Sequence, residues 1–174
     1  MKEFVLFMFM VCCLTIFPCC KVLYPDEKLS MKRVEYNGNQ LRIDGYYYYQ
    51  HDNPISTLVL FLYRNGVILS TRAYPSHDLD VVEEKMLSEY DKIRKEKAFW
   101  GVFLVNDNKI EYEKWESPTE GFTISKRSGY IEDDTTFHIT KRFFSYNKKT
   151  YHADEIWHFK QFSPKPDSTN NYIK

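Results

Sequence analysis

Asn65-Gly66 stands between two apolar runs, Thr57 to Tyr63 and Val67 to Tyr74, and leaves this stretch little choice but a β-hairpin. Asn-Gly tolerates positive φ at both centre positions of a two-residue turn, whose twist matches that of the strands it joins. Pairing Arg64 with Val67 sets Leu62 opposite Leu69 and Tyr63 opposite Ile68, so both faces are largely apolar and the hairpin is covered on both sides. A period of two also precedes it: Leu41, Ile43, Gly45, Tyr47 and Tyr49 alternate with Arg42, Asp44, Tyr46, Tyr48 and Gln50.

Strands recur at Phe99 to Val105, Ile110 to Trp115 and Phe122 to Lys126, the last broken at Arg127-Ser128-Gly129 and resumed at Tyr130-Ile131. Thr135 to Ser145 and Thr150 to Phe162 complete the series. In that last hairpin the inward residues are Phe137, Ile139 and Phe143 on one strand and Ala153, Trp157 and Phe159 on the other. A register that sets Phe137 against Phe159 and Ile139 against Trp157 also sets Arg142 against Asp154 on the outer face. Helical period occurs once, in Leu79, Val82, Met86, Tyr90 and Ile93, with acids early and bases late as the helix dipole favours.

The expected fold is mainly β: an antiparallel meander of about eight strands, a barrel or strongly curled sheet, with one inserted amphipathic helix at about 78–96. A two-sheet sandwich is the alternative. Residues 40–162 form this β-rich domain, 20–39 read as a tether, and the Pro- and Asn-rich residues 163–174 read as a mobile tail.

All four cysteines, Cys12, Cys13, Cys19 and Cys20, fall in the first 20 of 174 residues. Phe4 to Phe17 is a 14-residue apolar run, shorter than the roughly 17 to 25 residues that span a bilayer and suited to the core of an export signal. No Ala-x-Ala cleavage site follows it; the run ends in Pro18-Cys19-Cys20. This segment resembles a bacterial lipoprotein signal, in which a cysteine becomes the first mature residue and carries acyl chains. The resemblance implies that residues 1–19 are removed and that Cys20 is lipidated, with the other three cysteines as alternatives and an ordinary signal or uncleaved anchor as further ones. The chain is then similar to small uncharacterised lipoproteins of Bacteroidota. Its strand count and the segment Leu41-Arg42-Ile43-Asp44-Gly45-Tyr46-Tyr47 also resemble the lipocalin and calycin barrels, although the helix interrupts the strands where lipocalins place it after them.

Twenty-four Lys and Arg balance 24 Asp and Glu, so no excess of cations exists to displace counterions from nucleic acid. An exposed zinc site can be drawn from His138, His158, His152 and Asp154, and carboxylate pairs from Glu111 with Glu113 or Asp133 with Asp134. Each is better explained as a solvated strand face or a turn. No Gly-x-Ser-x-Gly turn, P-loop or dinucleotide glycine pattern occurs. No residue is assigned to catalysis, to a cofactor or to a metal.

Tyrosine is abundant, at 14 residues, and combines an apolar body with a hydroxyl that seeks a partner. Tyr47, Tyr49, Phe103, Tyr112 and Trp157 are the candidate ligand-binding residues of the barrel interior. The expected protein is a non-enzymatic envelope component, anchored to the outer membrane through acyl chains on Cys20, facing the periplasm or the surface, and binding a small apolar or glycan ligand. The alternative is an interaction module with a filled core that meets another envelope protein. An open pocket of about 300 Å³ or more favours the first.

Overall fold

The structure, a computed structural model, describes residues 26–117 and 122–174. The alternating segments form eight strands: β1 (Gly45–Asp52), β2 (Ile55–Leu62), β3 (Val67–Ser70), β4 (Trp100–Asn106), β5 (Lys109–Glu116), β6 (Thr123–Asp133), β7 (Thr136–Phe144) and β8 (Lys149–Gln161). Each pairs antiparallel with its neighbour in sequence, and β1 pairs with β8 to close a barrel. Closure leaves no free sheet edge. The helix α1 (Leu79–Ile93) enters between β3 and β4, its first turn capped by the Asp78 carboxylate, which accepts from the Asp80 N–H at 3.0 Å.

Two apolar layers follow from the period of two. Tyr47, Leu60, Leu62, Ile68, Phe103, Tyr112, Phe137, Ile139 and Trp157 point into the barrel and pack together. The alternate residues Tyr46, Phe61, Leu69 and Trp100 point outward and are covered by Val82, Met86 and Ile93 of α1. Each such fully buried side chain contributes about 1.5–3 kcal/mol, so the helix serves as an outer wall of the barrel. Tyr46 adds a polar contact, donating its hydroxyl to Glu83 Oε1 at 2.7 Å.

The register of the first hairpin differs from the expected one. Tyr63 N–H donates to Val67 O at 3.0 Å and Gly66 N–H to Tyr63 O at 2.9 Å, so the loop is Arg64-Asn65-Gly66, three residues long. Only Gly66 takes positive φ there, at 78°, as in a type I turn closed by a glycine bulge. Leu62 therefore faces Ile68, and Phe61 faces Leu69. The slip of one residue sends Ile68 inward and Leu69 out beneath α1.

The last hairpin is also shifted. Phe137 pairs with Trp157 and Ile139 with Glu155; after a bulge, Arg142 pairs with Tyr151. Phe159 instead pairs with Tyr47, and Arg142 meets Glu155 where Asp154 had been expected. The bulge changes the parity of β7, turning Arg142 toward the interior. Strand β6 runs unbroken through Arg127-Ser128-Gly129, because a bulge at Ser128/Gly129 absorbs the irregularity. A Cβ on Gly129 would stand 1.8 Å from His138 O, so the close approach there requires glycine.

The segments expected as tether and tail lie against the barrel where the structure describes them. Glu113, placed by its alternation on a solvated face, is buried: its carboxylate accepts from Ser30 Oγ and from Met31 N–H, both at 2.7 Å. Tyr36 and Leu41 then enter the interior at the end near the Asn65-Gly66 turn, and the Leu41 N–H donates to the Tyr36 hydroxyl at 2.7 Å. At the other terminus Phe162, Tyr172 and Ile173 pack on the outer layer. Lys165 Nζ donates to Ile43 O at 2.6 Å and to Leu62 O at 2.5 Å. Proline and asparagine make these segments irregular, but a few aromatic anchors are enough to dock them. Cys20 and the apolar run before it lie outside the described residues.

Candidate functional site

The barrel has one filled end and one polar end. At the filled end Tyr36, Tyr47, Phe103 and Phe137 pack ring against ring, with Tyr36 and Phe103 at 5.6 Å and Tyr47 and Phe137 at 4.9 Å between centroids. The Tyr47 hydroxyl is used up there, donating to Asp134 O at 2.9 Å. Toward the opposite end the interior positions of four strands change from apolar to charged: Lys114 and Glu116 on β5, Arg127 on β6, Arg142 on β7 and Glu155 on β8. They line a cavity of about 230 Å³ whose apolar wall is Leu58, Leu60, Phe99, Tyr112 and Trp157.

Local pattern explains how the charges arrive there. Tyr112, Lys114 and Glu116 continue one face of β5, while Glu113 and Trp115 occupy the other, beneath the N-terminal segment. Ala153, Glu155 and Trp157 share one face of β8. Arg142 joins them because of the bulge between Ile139 and Lys141.

Glu155 is 2% exposed and committed at both oxygens, holding Arg142 through Oε1 and accepting the Trp157 indole N–H through Oε2 at 3.2 Å. Lys114 Nζ reaches Ser70 Oγ at 3.2 Å, Ala98 O at 3.4 Å and Glu116 Oε1 at 3.6 Å. Burial nonetheless pushes its pKa below that of an ordinary lysine. Burial alone would raise Glu116, but the adjacent Lys114 and Arg127 outweigh it and hold the carboxyl below its usual range, helped by Ser125 Oγ donating at 2.9 Å.

Arg127 is less well provided. Its nearest carboxylate atoms are Glu116 Oε1 at 3.7 Å and Glu155 Oε2 at 3.9 Å, beyond hydrogen-bond distance. One nitrogen approaches Ser125 Oγ at 3.4 Å, the guanidinium carbon lies 5.6 Å from the Tyr112 ring centre, and Nε is buried without an acceptor. A guanidinium carries five N–H donors and stays charged. Arg72 at the cavity wall is paired with Glu89 at 3.4 Å, and the other three cations against two carboxylates leave one net positive charge among the described residues of the cluster. For a buried ion pair, loss of one partner costs about 3–5 kcal/mol, whereas an apolar substitute for the whole pair is often neutral or better.

The five residues expected to bind ligand separate by depth. Tyr112 and Trp157 line the cavity. Tyr49 stands at the rim, its ring 5.8 Å from Trp157, in a shallow groove of about 420 Å³ with Phe144, Tyr146 and Tyr151 that shares Arg142 and Glu155 with the cavity. Tyr47 and Phe103 belong to the packed end. The ion cluster went unnoticed in sequence, although the alternation Tyr112, Lys114, Glu116 carried its signal: charges occupied a face that begins in the core.

The histidine arrangement changes with the β7–β8 register. His138 faces Ile156, accepts or donates with Tyr130 Oη at 2.8 Å and meets Asp154 Oδ1 at 2.7 Å, while His158 lies beside Tyr48. Among the described residues no group of three or more His, Cys, Asp or Glu stands close enough to hold a metal ion. None of the described helices is long and apolar enough to cross a membrane. No family model, curated protein or solved structure matches the chain.

Proposed function

We propose that this is a lipid-anchored cell-envelope protein whose calycin-like β domain binds a small ligand at the polar end of its barrel, without converting it. One observation carries the binding reading: a charged cluster surrounds an open space inside an otherwise apolar barrel. Apolar side chains would fill that space at lower cost, and Tyr112 and Trp157 supply the rigid aromatic wall that small-molecule sites use. At about 230 Å³ the space falls short of the roughly 300 Å³ expected of a ligand pocket, so the charged lining and not the volume supports this reading, and any ligand must be compact. The rim of Tyr49, Phe144, Tyr146 and Tyr151 forms an amphipathic entrance.

Membrane attachment rests on the apolar run and on Cys20. Two or three acyl chains on this cysteine would hold the protein at the outer membrane, since each buried methylene contributes about 0.8 kcal/mol. The experiment has two arms. Native mass spectrometry of the protein released gently from its own membranes is expected to show a retained small molecule; an unloaded protein that also binds nothing from a metabolite extract would overturn the ligand reading. Peptide mass spectrometry is expected to show acylated Cys20 as the mature first residue. An unmodified end, with Cys20→Ser still fractionating with membrane, would overturn the anchor.

A second reading, an interaction module, draws on the packed half of the barrel and on an outer groove of about 840 Å³ between the N-terminal segment and the C-terminal residues, where Leu29, Met31, Trp115 and Tyr172 meet. Crosslinking in intact cells separates the two readings. A single envelope protein captured through this groove, with the barrel empty, would favour the module.

A further inference from the structure

We propose that the barrel cavity is an anion site in which Arg127, with Arg142 beside it, seats the carboxylate of a small organic acid whose apolar body lies against Tyr112 and Trp157. The proposal rests on the reading that the barrel binds a ligand, and it names the ligand's chemical class.

The argument is an accounting of donors and acceptors. Glu155 has both oxygens occupied by Arg142 and Trp157. The Lys114 ammonium has three oxygen neighbours, at 3.2, 3.4 and 3.6 Å. Glu116 Oε1 accepts from Ser125 and faces both Lys114 and Arg127. Arg127 is the group left over: it meets no carboxylate within 3.5 Å, and its Nε is buried with no acceptor. A fork of donors at the wall of a partly open cavity matches a planar two-oxygen acceptor, as in bidentate carboxylate recognition.

Sign and size narrow the class further. Arg72, which also lines the cavity, is paired with Glu89 at 3.4 Å; with Lys114, Arg127 and Arg142 opposed by Glu116 and Glu155, one positive charge is left to spare. A monoanion completes the balance. A dianionic phosphate would bring surplus charge against both glutamates, and a cation would add to the excess already present. An apolar cavity of about 150 Å³ accepts one benzene ring, so about 230 Å³ takes a ring and a short acid arm. Tyr112 and Trp157 supply aromatic lining for such a ring, and Leu58 and Leu60 supply aliphatic lining.

The test compares three isosteric probes on the wild-type protein near neutral pH: 3-phenylpropanoate, 3-phenylpropan-1-ol and 3-phenylpropylammonium. The reporter is the Trp157 indole N–H resonance, assigned with Trp157→Phe, because that N–H bonds Glu155 at the cavity wall. The acid is expected to shift this resonance and to bind about ten-fold or more tightly than the alcohol, the gain of a charge-assisted over a neutral hydrogen bond. The ammonium is expected to bind weakest. Arg127→Gln should weaken the acid about ten-fold and the uncharged alcohol by less. Arg127→Lys, which keeps the charge and loses the fork, should fall between.

Equal binding of acid and alcohol would overturn the anion site and leave ligand binding in the barrel standing. No shift from any probe at millimolar concentration would remove both, leaving water as the partner of Arg127. Undiminished acid binding in a folded Arg127→Gln would also overturn the assignment. Should that variant fail to fold, the discrimination among the three probes on wild-type protein still decides.

Discussion

Replacing Glu155 by glutamine removes one negative charge from the barrel interior and almost no volume. The wild-type carboxylate is 2% exposed and holds Arg142, the Trp157 indole and, more loosely, Arg127 at 3.9 Å. Glutamine can still accept from the indole, so that bond survives. What is lost is the charge facing two guanidinium groups. Breaking a buried pair from one side costs about 3–5 kcal/mol, but the Arg142 side chain is 32% exposed and can recover part of its hydration. The expected loss for Glu155→Gln is therefore about 2–3 kcal/mol, at and just below the lower end of that range. For a chain of this size each kcal/mol lowers the melting temperature by about 2–4 °C, which gives a fall of about 4–12 °C. The companion variant Arg142→Met with Glu155→Gln removes both charges of the pair and keeps an acceptor for the Trp157 indole. It is expected to recover most of what the single variant loses, because Arg142 no longer faces a neutral amide. Urea unfolding followed by far-UV circular dichroism, with linear extrapolation, measures both. A loss below about 0.5 kcal/mol in Glu155→Gln, the size of an ordinary surface change, would show that the pair is not effectively buried. A double variant as unstable as the single would show that the cluster supports the barrel and is not an interior feature that folding could do without.

Three other perturbations reach different parts of the argument. Glu116 has a folded-state pKa below its ordinary 4.5 because Lys114 and Arg127 outweigh its burial; its contribution is complete above that pH and is lost as pH falls through the folded value. Melting temperatures of wild type and Glu116→Gln should accordingly converge on acidification below pH 4.5, and a constant gap down to the acid transition would refute the assignment. Burial raises the phenol pKa of Tyr46, Tyr47, Tyr63 and Tyr112, and that of Tyr74 to about 12, so their contribution is present below the ordinary value of 10 and is lost as pH rises above it. Phenolate absorbance should rise in two stages, exposed rings first and these with unfolding; a single stage centred at 10 would count against a filled barrel. Glu113→Ala leaves the Met31 N–H without its acceptor and removes the Ser30 bond, and should cost about 1–3 kcal/mol. Trypsin should then cut faster at Lys28, Lys32 and Arg33; an unchanged rate would mean that Glu113 does not hold that segment.

Strand count, antiparallel order and the helix were legible because each depends on a local period. Tyr47, Leu60, Phe103 and Trp157 face inward as alternation requires, and Val82, Met86 and Ile93 form the helix stripe. Register was less legible, since it depends on single residues that alternation does not count. A three-residue loop at Gly66 replaced a two-residue turn, and a bulge after Ile139 brought Arg142 to Glu155. That second shift matters most, because one inserted residue turned an outward arginine into a wall of the cavity. Lys114 and Glu116, by contrast, were already on the inward face by the rule that placed Tyr112 there. Charges on a strand are usually taken to mark its solvent side, and that habit hid them. Where alternation and polarity disagree at the end of a barrel strand, alternation decides which way the side chain points, and the buried charge it exposes identifies where the barrel can hold something other than itself.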